Sequence, residues 1–396
     1  MSALPVVRLL QGHDRRLRGG HPWVFANEIG MDAELRAIVP GTVVRLDGPD
    51  GATLALAHFN PHSLIAARVL TRDHRRAHID AAFLARRIER ALRIRARLFD
   101  EPFYRLVHAE ADGLPGLVVD RYDDVLVAQL NTAGMAALEA ELFDALTGVL
   151  GPVRVVLRND GAVRELEGLG NEVRVLGGVV EAPIPMREHG LTFFVDPLAG
   201  QKTGWFYDQR DNRAFAARFA GATRVLDLYA YTGGFGLVAA ASGAREVVLV
   251  DRSEAALSLA RASAAANQLG EVCRFERADA FPFLERANEA RERFGLVLAD
   301  PPAFARSRKD VPVALRGYRK LVRALVPLVE EGGVLAVSSC SHGVAADAFV
   351  EAIRLGLRDA TRPGRILRIA GAGPDHPVHP ALPEGAYLKF VVVALD

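Results

Sequence analysis

Residues 225–236 read V-L-D-L-Y-A-Y-T-G-G-F-G. The apolar run Val225, Leu226 and Leu228 predicts a short buried strand, and the glycine cluster turns it into a helix over Leu237–Ser242. Gly233, Gly234 and Gly236 lack the Cβ atoms that would hold a ligand away from the backbone. The helix presents free N–H groups at the turn. Asp227, at the end of the strand, is placed to accept hydrogen bonds there.

Four more strands follow. V-V-L-V-D ends in Asp251, which lies 24 residues after Asp227. That is close to the spacing at which a βαβ unit sets an acid on a ribose. A third strand around Cys273–Phe275 leads to Asp279, and F-G-L-V-L-A-D ends in Asp300 and runs into Pro301, Pro302, Ala303 and Phe304. The fifth, V-L-A-V-S-S-C-S, ends at Cys340. Each acid or thiol sits where its strand gives out, the edge at which open α/β sheets bind ligands.

This series of glycine turn, acid, acid and Asp-Pro-Pro-x-Phe resembles a class I S-adenosylmethionine (SAM) methyltransferase. The turn also departs from the G-x-G-x-x-G of dinucleotide enzymes. Upstream, Gln201–Arg213 reads Q-K-T-G-W-F-Y-D-Q-R-D-N-R, apolar rings beside polar anchors. Such a mixture suits a ligand with an adenine and an amino-acid tail. In the family this segment closes over SAM. The resemblance implies cofactor contacts from Lys202, Phe206, Tyr207, Arg210, Asp227, Tyr229, Thr232, Gly233, Gly234, Asp251, Asp279 and Asp300.

The chain has 396 residues, enough for two or three domains. Half its residues are hydrophobic and 24% are charged, ordinary for a globular protein. No apolar run reaches the ~18 residues of a membrane span. The start, M-S-A-L-P-V-V-R, shows no secretory pattern, so no membrane association is expected. The only cysteines, Cys273 and Cys340, predict no disulfide framework and a cytoplasmic location.

Charge is uneven. The net is +1, but residues 1–100 hold 16 arginines, no lysine and 10 acids. A basic N-terminal third suits a polyanion such as RNA. Arginine is, however, the default cation here: the chain has four lysines, Lys202, Lys309, Lys320 and Lys389.

Residues 1–72 read as a small β-rich unit. Val6–Leu10 is a candidate strand, and Gly41–Leu46 and Thr53–Phe59 form a hairpin bounded by Asp-Gly turns. The loop G-H-D-R-R-L-R-G-G-H-P-W-V-F-A-N-E-I resembles that of a PUA domain, an RNA-binding barrel. It implies RNA contacts from Arg15, Arg16, Arg18, His21 and Trp23, against the plainer reading of Trp23 and Phe25 as core.

His78–Leu98 predicts a linker helix by its period. Residues 103–190 predict strands at Tyr104–His108, Leu117–Arg121, Val125–Asn131 and Val153–Arg158, and one helix over Ala136–Leu150. Glu110, Asp112 and Asp120 lie among turn residues without a His/Cys cluster, so no metal is expected. Arg158, Asn159 and Arg164 either line a substrate cleft or serve the structure. H-A-E-A-D-G-L-P-G-L-V-V-D-R-Y resembles the middle domain of PUA-linked rRNA methyltransferases. Tyr387–Leu395 is a final strand, expected antiparallel beside the fifth.

The whole chain resembles the bacterial PUA-domain 23S rRNA cytosine-C5 methyltransferases. This implies an α/β fold in three parts. They are a PUA-like β-barrel over 1–72, a linker helix and central α+β domain with a substrate cleft over 73–190, and a class I methyltransferase domain with a Rossmann-like seven-stranded sheet over 191–396. It implies 23S rRNA or a large-subunit precursor as partner, and allows a homodimer. In S-S-C-S-H-G, Ser338–Gly343, it implies Cys340 as the nucleophile that adds to cytosine C6, with Asp300 facing the base. Cys273, between Val272 and Arg274 at a strand start, reads as structural. His342 and a water are both open as the base that removes the C5 proton. Guanine-N7 relatives share Asp-Pro-Pro-x-Phe but carry Asn in place of Cys340. A non-catalytic RNA-binding assembly factor is the other alternative.

Overall fold

Strand and helix signals become two units in the computed structural model, which describes residues 4–75, 78–305 and 307–396. The first unit comprises Met1–Ala182, Pro197–Trp205 and Asp375–Pro383. The second comprises Pro183–Asp196, Phe206–Pro374 and Glu384–Asp396.

The first unit has two five-stranded sheets. One contains Val6–Arg8, Thr42–Asp47, Thr53–Phe59, Ala67–Thr71 and Trp23–Val24 in that spatial order. Alternation places Val7, Val44, Leu46, Ala57 and Phe59 in a buried core. The other orders Glu172–Leu176, Arg154–Asn159, Val125–Leu130, Leu117–Tyr122 and Phe103–His108. The helix Ala81–Leu98 starts where the Asp80 carboxylate accepts the Phe83 N–H at 2.8 Å. It packs Leu84 and Ile88 into the core formed by this second sheet.

The single helix expected over Ala136–Leu150 is in fact two, Ala133–Ala137 and Glu139–Leu150. Thr132 caps the first through Met135 N, and Leu138 leaves helical geometry at φ −103°, ψ 20°. The acids considered for a metal are held by arginines. Arg95 binds both oxygens of Asp112 at 2.7 Å, Arg105 binds Asp120 at 2.7 and 2.9 Å, and Arg68 binds Glu110 at 2.9 Å. Arg158, Asn159 and Arg164 are buried and serve the structure. They bond the carbonyls of Pro197 and Gly200, the Leu130 N–H, and the carbonyls of Gly170 and Leu130 respectively.

The second unit carries a seven-stranded sheet, here labelled by its own order along the chain. The strands are β1 (Arg224–Leu228), β2 (Glu246–Asp251), β3 (Cys273–Arg277), β4 (Phe294–Ala299), β5 (Val329–Ser339), β6 (Gly364–Ala370) and β7 (Lys389–Leu395). Their spatial order is 3-2-1-4-5-7-6. The first five are mutually parallel, and β7 enters antiparallel between β5 and β6, as expected. Helices α1 (Gly234–Ala241), α2 (Glu254–Ala266), α3 (Ala280–Glu289), α4 (Val311–Leu325) and α5 (Ala346–Asp359) accompany the strands. The stripe Ala314, Tyr318, Leu321, Val322 and Leu325 seats α4 in the core. Strand order reverses between β1 and β4, which opens the ligand crevice of such sheets at the carboxyl ends of these two strands. Among the described residues no helix is long and apolar enough to cross a membrane.

The Arg95–Asp112 pair makes a stability prediction. Arg95 is 1% exposed, so Asp112→Ala would strand a buried guanidinium. The variant should lose about 3–5 kcal/mol in urea denaturation. A loss within about 0.5 kcal/mol would show that the pair contributes nothing.

Candidate active site

The turn after β1 is built from backbone geometry that side chains resist. Tyr229, Tyr231 and Gly233 have φ of 66°, 50° and 83°. Two non-glycine residues in the left-handed region cost about 1–2 kcal/mol each, a strain typical of functional sites. Gly233 precedes α1, and the Gly236 N–H donates to Asp227 Oδ2 at 2.7 Å. A Cβ on Gly236 would lie 2.8 Å from Leu249 Cδ2 and 2.9 Å from Asp227 Oδ2. This glycine therefore admits the strand and its carboxylate, not a ligand as the sequence suggested.

Asp251 ties the turn to β2: its carboxylate accepts the Tyr231 N–H at 2.9 Å and the Ser253 N–H at 2.8 Å. Asp279 precedes α3 but does not cap it, and its side chain is exposed. Thr232 is fully buried, and its hydroxyl has no partner among the described residues.

Asp300 follows β4 directly, and Cys340 follows β5. β4 and β5 are adjacent and parallel, with Ala299 opposite Val337, so both residues leave the sheet at one edge. Gln209 and Ser338 hydrogen-bond the Asp300 carboxylate. Gln209 also donates to Ser338 Oγ at 3.1 Å and accepts from Asn212 Nδ2 at 2.7 Å. Burial, then the charge of Asp208, pushes Asp300 up to about 6. Burial pushes Asp227 up to about 7, with Asp300 and Asp251 adding to it.

The loops beyond β4 and β5 are joined. Ser341 Oγ accepts the Ala305 N–H at 3.2 Å and meets the Tyr318 hydroxyl at 3.0 Å, while Ser339 Oγ donates to that hydroxyl at 2.9 Å. Phe304 stacks on Tyr318 with centroids 4.6 Å apart. Cys273 lies on β3 opposite Val247, its thiol pushed up to about 12 by burial and by Asp227.

The remaining cofactor candidates divide between the units. Phe206 meets Tyr231 edge-on at 5.4 Å, Tyr207 is buried, and the Arg210 guanidinium lies over the Tyr207 ring at 5.3 Å and 3.6 Å from Glu188. Lys202 belongs to the first unit, exposed and at φ 50°. Asp208, Gln209, Asn212 and Ser338 lie in the stretches quoted above without having been selected, and Tyr318 was missed. The Asp208 carboxylate accepts from the Tyr387 hydroxyl at 2.5 Å, and its other oxygen is buried without a partner among the described residues. Polar residues next to apolar runs were the available signal.

In the first unit, Arg15, Arg16 and Arg18 share the exposed turn of helix Arg15–Arg18. Arg16 bonds Glu28 at 3.4 Å and His21 at 2.8 Å, and Arg18 bonds Asp14 at 2.6 Å and Asp50 at 2.9 Å. An exposed pair such as Arg18–Asp50 is worth little and yields readily to a stronger anion. Trp23 donates its indole N–H to Glu110 at 2.7 Å and lies under the Arg68 guanidinium.

Comparison with known proteins agrees with the fold. A PUA-like domain model matches residues 7–72, and an S-adenosylmethionine-dependent methyltransferase model matches residues 173–375. The chain is 37% identical over 392 residues to ribosomal RNA large subunit methyltransferase I of Aeromonas salmonicida, covering 98% of both chains. It is 38% identical over 391 residues to the protein of that name from Shewanella denitrificans, again covering 98% of both. The chain belongs to the ribosomal RNA large subunit methyltransferase I family. A candidate SAM-dependent methyltransferase from Streptococcus mutans shares the fold at TM-score 0.81 and 19% identity, over 99% of this chain and 100% of that one. A candidate methyltransferase complexed with SAH does so at TM-score 0.82, with the same identity and coverage.

The cofactor of this methyltransferase family member is SAM. Its own residues fit that group: the Thr232 hydroxyl is buried without a partner among the described residues, the Asp279 carboxylate is not spent on its helix, and Asp251 retains acceptor capacity.

The raised Asp227 predicts a pH dependence. Its folded value near 7 exceeds the ordinary 3.8, so its stabilising contribution is complete below 3.8 and is lost as pH rises through 7. Asp227→Asn keeps an oxygen for the Gly236 N–H and does not titrate. In the ligand-free protein this variant should gain about 1–3 kcal/mol on the parent between pH 5 and pH 8. Urea denaturation at both values measures the gap, and an unchanged gap would refute the assignment.

Proposed function

We propose that this chain methylates C5 of a cytosine in large-subunit rRNA, the 23S rRNA or its precursor, through a transient bond from Cys340 to C6 of the base. The observation that carries the reading is a thiol at the end of β5 beside an acid at the end of β4, on the edge that bears the glycine turn. The names of the curated relatives support the rRNA substrate.

Cytosine C5 is a weak nucleophile because the ring is aromatic. Cys340 Sγ adds to C6, breaks the aromaticity and moves an electron pair toward C5. Asp300, raised to about 6, exchanges protons close to neutral pH and gives one to N3 as sulfur adds. When bound, SAM supplies the electrophilic methyl group. C5 then gives up its proton to a base, His342 or a water, the S–C6 bond breaks with its electron pair returning to sulfur, N3 returns its proton to Asp300, and the ring regains aromaticity. A base within a duplex hides C5 and C6, so the substrate is single-stranded or flipped. Arg15, Arg16 and Arg18 offer exposed donors for the RNA backbone, with half-buried His21 and Trp23 beside them. Cofactor recognition rests on Asp227, Tyr229, Thr232, Gly233, Gly234, Asp251, Asp279 and Asp300, with Phe206, Tyr207 and Arg210. A weaker binder follows from losing the Asp251 acceptor. Asp251→Ala should reduce SAM affinity by about 1.5–3 kcal/mol in titration calorimetry, and an unchanged affinity removes it from the cofactor site.

RNA carrying 5-fluorocytidine at the target has no C5 proton to remove. The parent should remain trapped on it after one methyl transfer, as a band that survives denaturation. Cys340→Ala should give no band and no methylation while binding SAM normally, and Cys273→Ala should match the parent. Methylation by Cys340→Ala would reject the adduct and move direct attack by the base, as in a guanine-N7 enzyme, to first place.

A further inference from the structure

Lys389 is a lysine in an otherwise apolar strand and is 4% exposed. Its backbone pairs with Ser339 across β5 and β7. Its Nζ donates to the Ser341 carbonyl at 2.6 Å and to the Tyr387 carbonyl at 2.8 Å. The side chain thus brackets Cys340: it starts opposite the residue before the thiol and ends on the residue after it. Both acceptors are neutral, and among the described residues no carboxylate forms an ion pair with this ammonium. An ammonium buried without a counter-charge is costly. Burial pushes Lys389 down to about 8, and the interaction that opposes this push comes from Cys340.

Other groups surround the sulfur. From α4, Tyr318 places its hydroxyl between Ser339 and Ser341 and interacts with Cys340. From the loop after β5, exposed His342 stacks on Tyr387 at 4.9 Å. From the end of β4 comes Asp300, an acid. Lys389 is the buried cation of the set.

We propose that Lys389 is the counter-ion of Cys340, holding its sulfur as the thiolate so that the nucleophile stands charged before the base arrives. The proposal rests on the reading of Cys340 as nucleophile. The proton of Sγ–H passes to the Nζ lone pair, leaving S⁻ beside NH₃⁺. When the adduct eliminates, the S–C6 electron pair returns to sulfur and restores the ion pair. Lys389 acts through Cys340 and is a positioning residue.

The test is alkylation of the full-length protein by iodoacetamide from pH 5.5 to 9.5, read at Cys340 by peptide mass spectrometry. In the parent, the midpoint of the rate profile should fall below the ~8.5 of an ordinary thiol. Lys389→Met keeps the apolar stem and removes the charge. Its midpoint should rise by at least about one pH unit, so that alkylation at pH 7 slows about tenfold. Lys389→Arg should keep the low midpoint. A parent midpoint at or above ~8.5 overturns the proposal without any variant, and so does an unchanged midpoint in Lys389→Met. The 5-fluorocytidine experiment separates the two readings. If Cys340→Ala still methylates while the parent midpoint is low, the ion pair stands and the nucleophile reading fails. If Cys340→Ala is inactive while the midpoint is ordinary, the nucleophile stands and Lys389 has no part in activating it.

Discussion

The hydrogen bond from the Gly236 N–H to Asp227 determines much of the second unit. It joins β1 to a free N–H in the first turn of the helix that follows. To close it, the helix must approach Leu249 so nearly that a Cβ at position 236 has no room. The chain between must reverse in few residues, and Tyr229 and Tyr231 take up left-handed geometry to do so. Asp251 then holds Tyr231 from the neighbouring strand. Burial of strands β1, β2 and β4 offsets the strain of the turn.

Around that bond the chain gathers acids. The charge of Asp208 raises Asp300, those of Asp300 and Asp251 raise Asp227, and the nearby Arg213 is already committed to Glu188 at 2.6 and 3.0 Å. Carboxylates crowded in low dielectric hold protons more tightly. The amide and hydroxyl groups of Gln209 and Ser338 keep Asp300 oriented without neutralising it.

The sheet was largely legible, because parallel strands buried on both faces read as uninterrupted apolar runs and end visibly at an acid. The antiparallel entry of β7 followed from the family resemblance. What escaped was long-range pairing. Gln209 and Ser338 are 129 residues apart, and Arg95 and Asp112 are 17 apart. Neither partner signals the other by spacing. The break at Leu138 escaped because both flanking segments carry helical periodicity. The role of Gly236 was misread because glycine marks close approach without saying what approaches. Lys389 was visible as a charge inside an apolar strand, but only the register of β7 on β5 shows which residue it serves.

The first unit is threaded from three separate stretches of chain, and the last begins at Asp375. That residue is fully buried, with its carbonyl accepting from Arg95 at 3.0 Å and its carboxylate accepting the Arg105 N–H at 3.0 Å. During synthesis from the amino terminus, residues 1–182 therefore leave the ribosome with these two donors waiting for a segment made almost two hundred residues later. The N-terminal part cannot complete its own interior until nearly all of the catalytic sheet has been translated. The first unit is thus closed by a segment made after most of the second, and not in the order of their first residues.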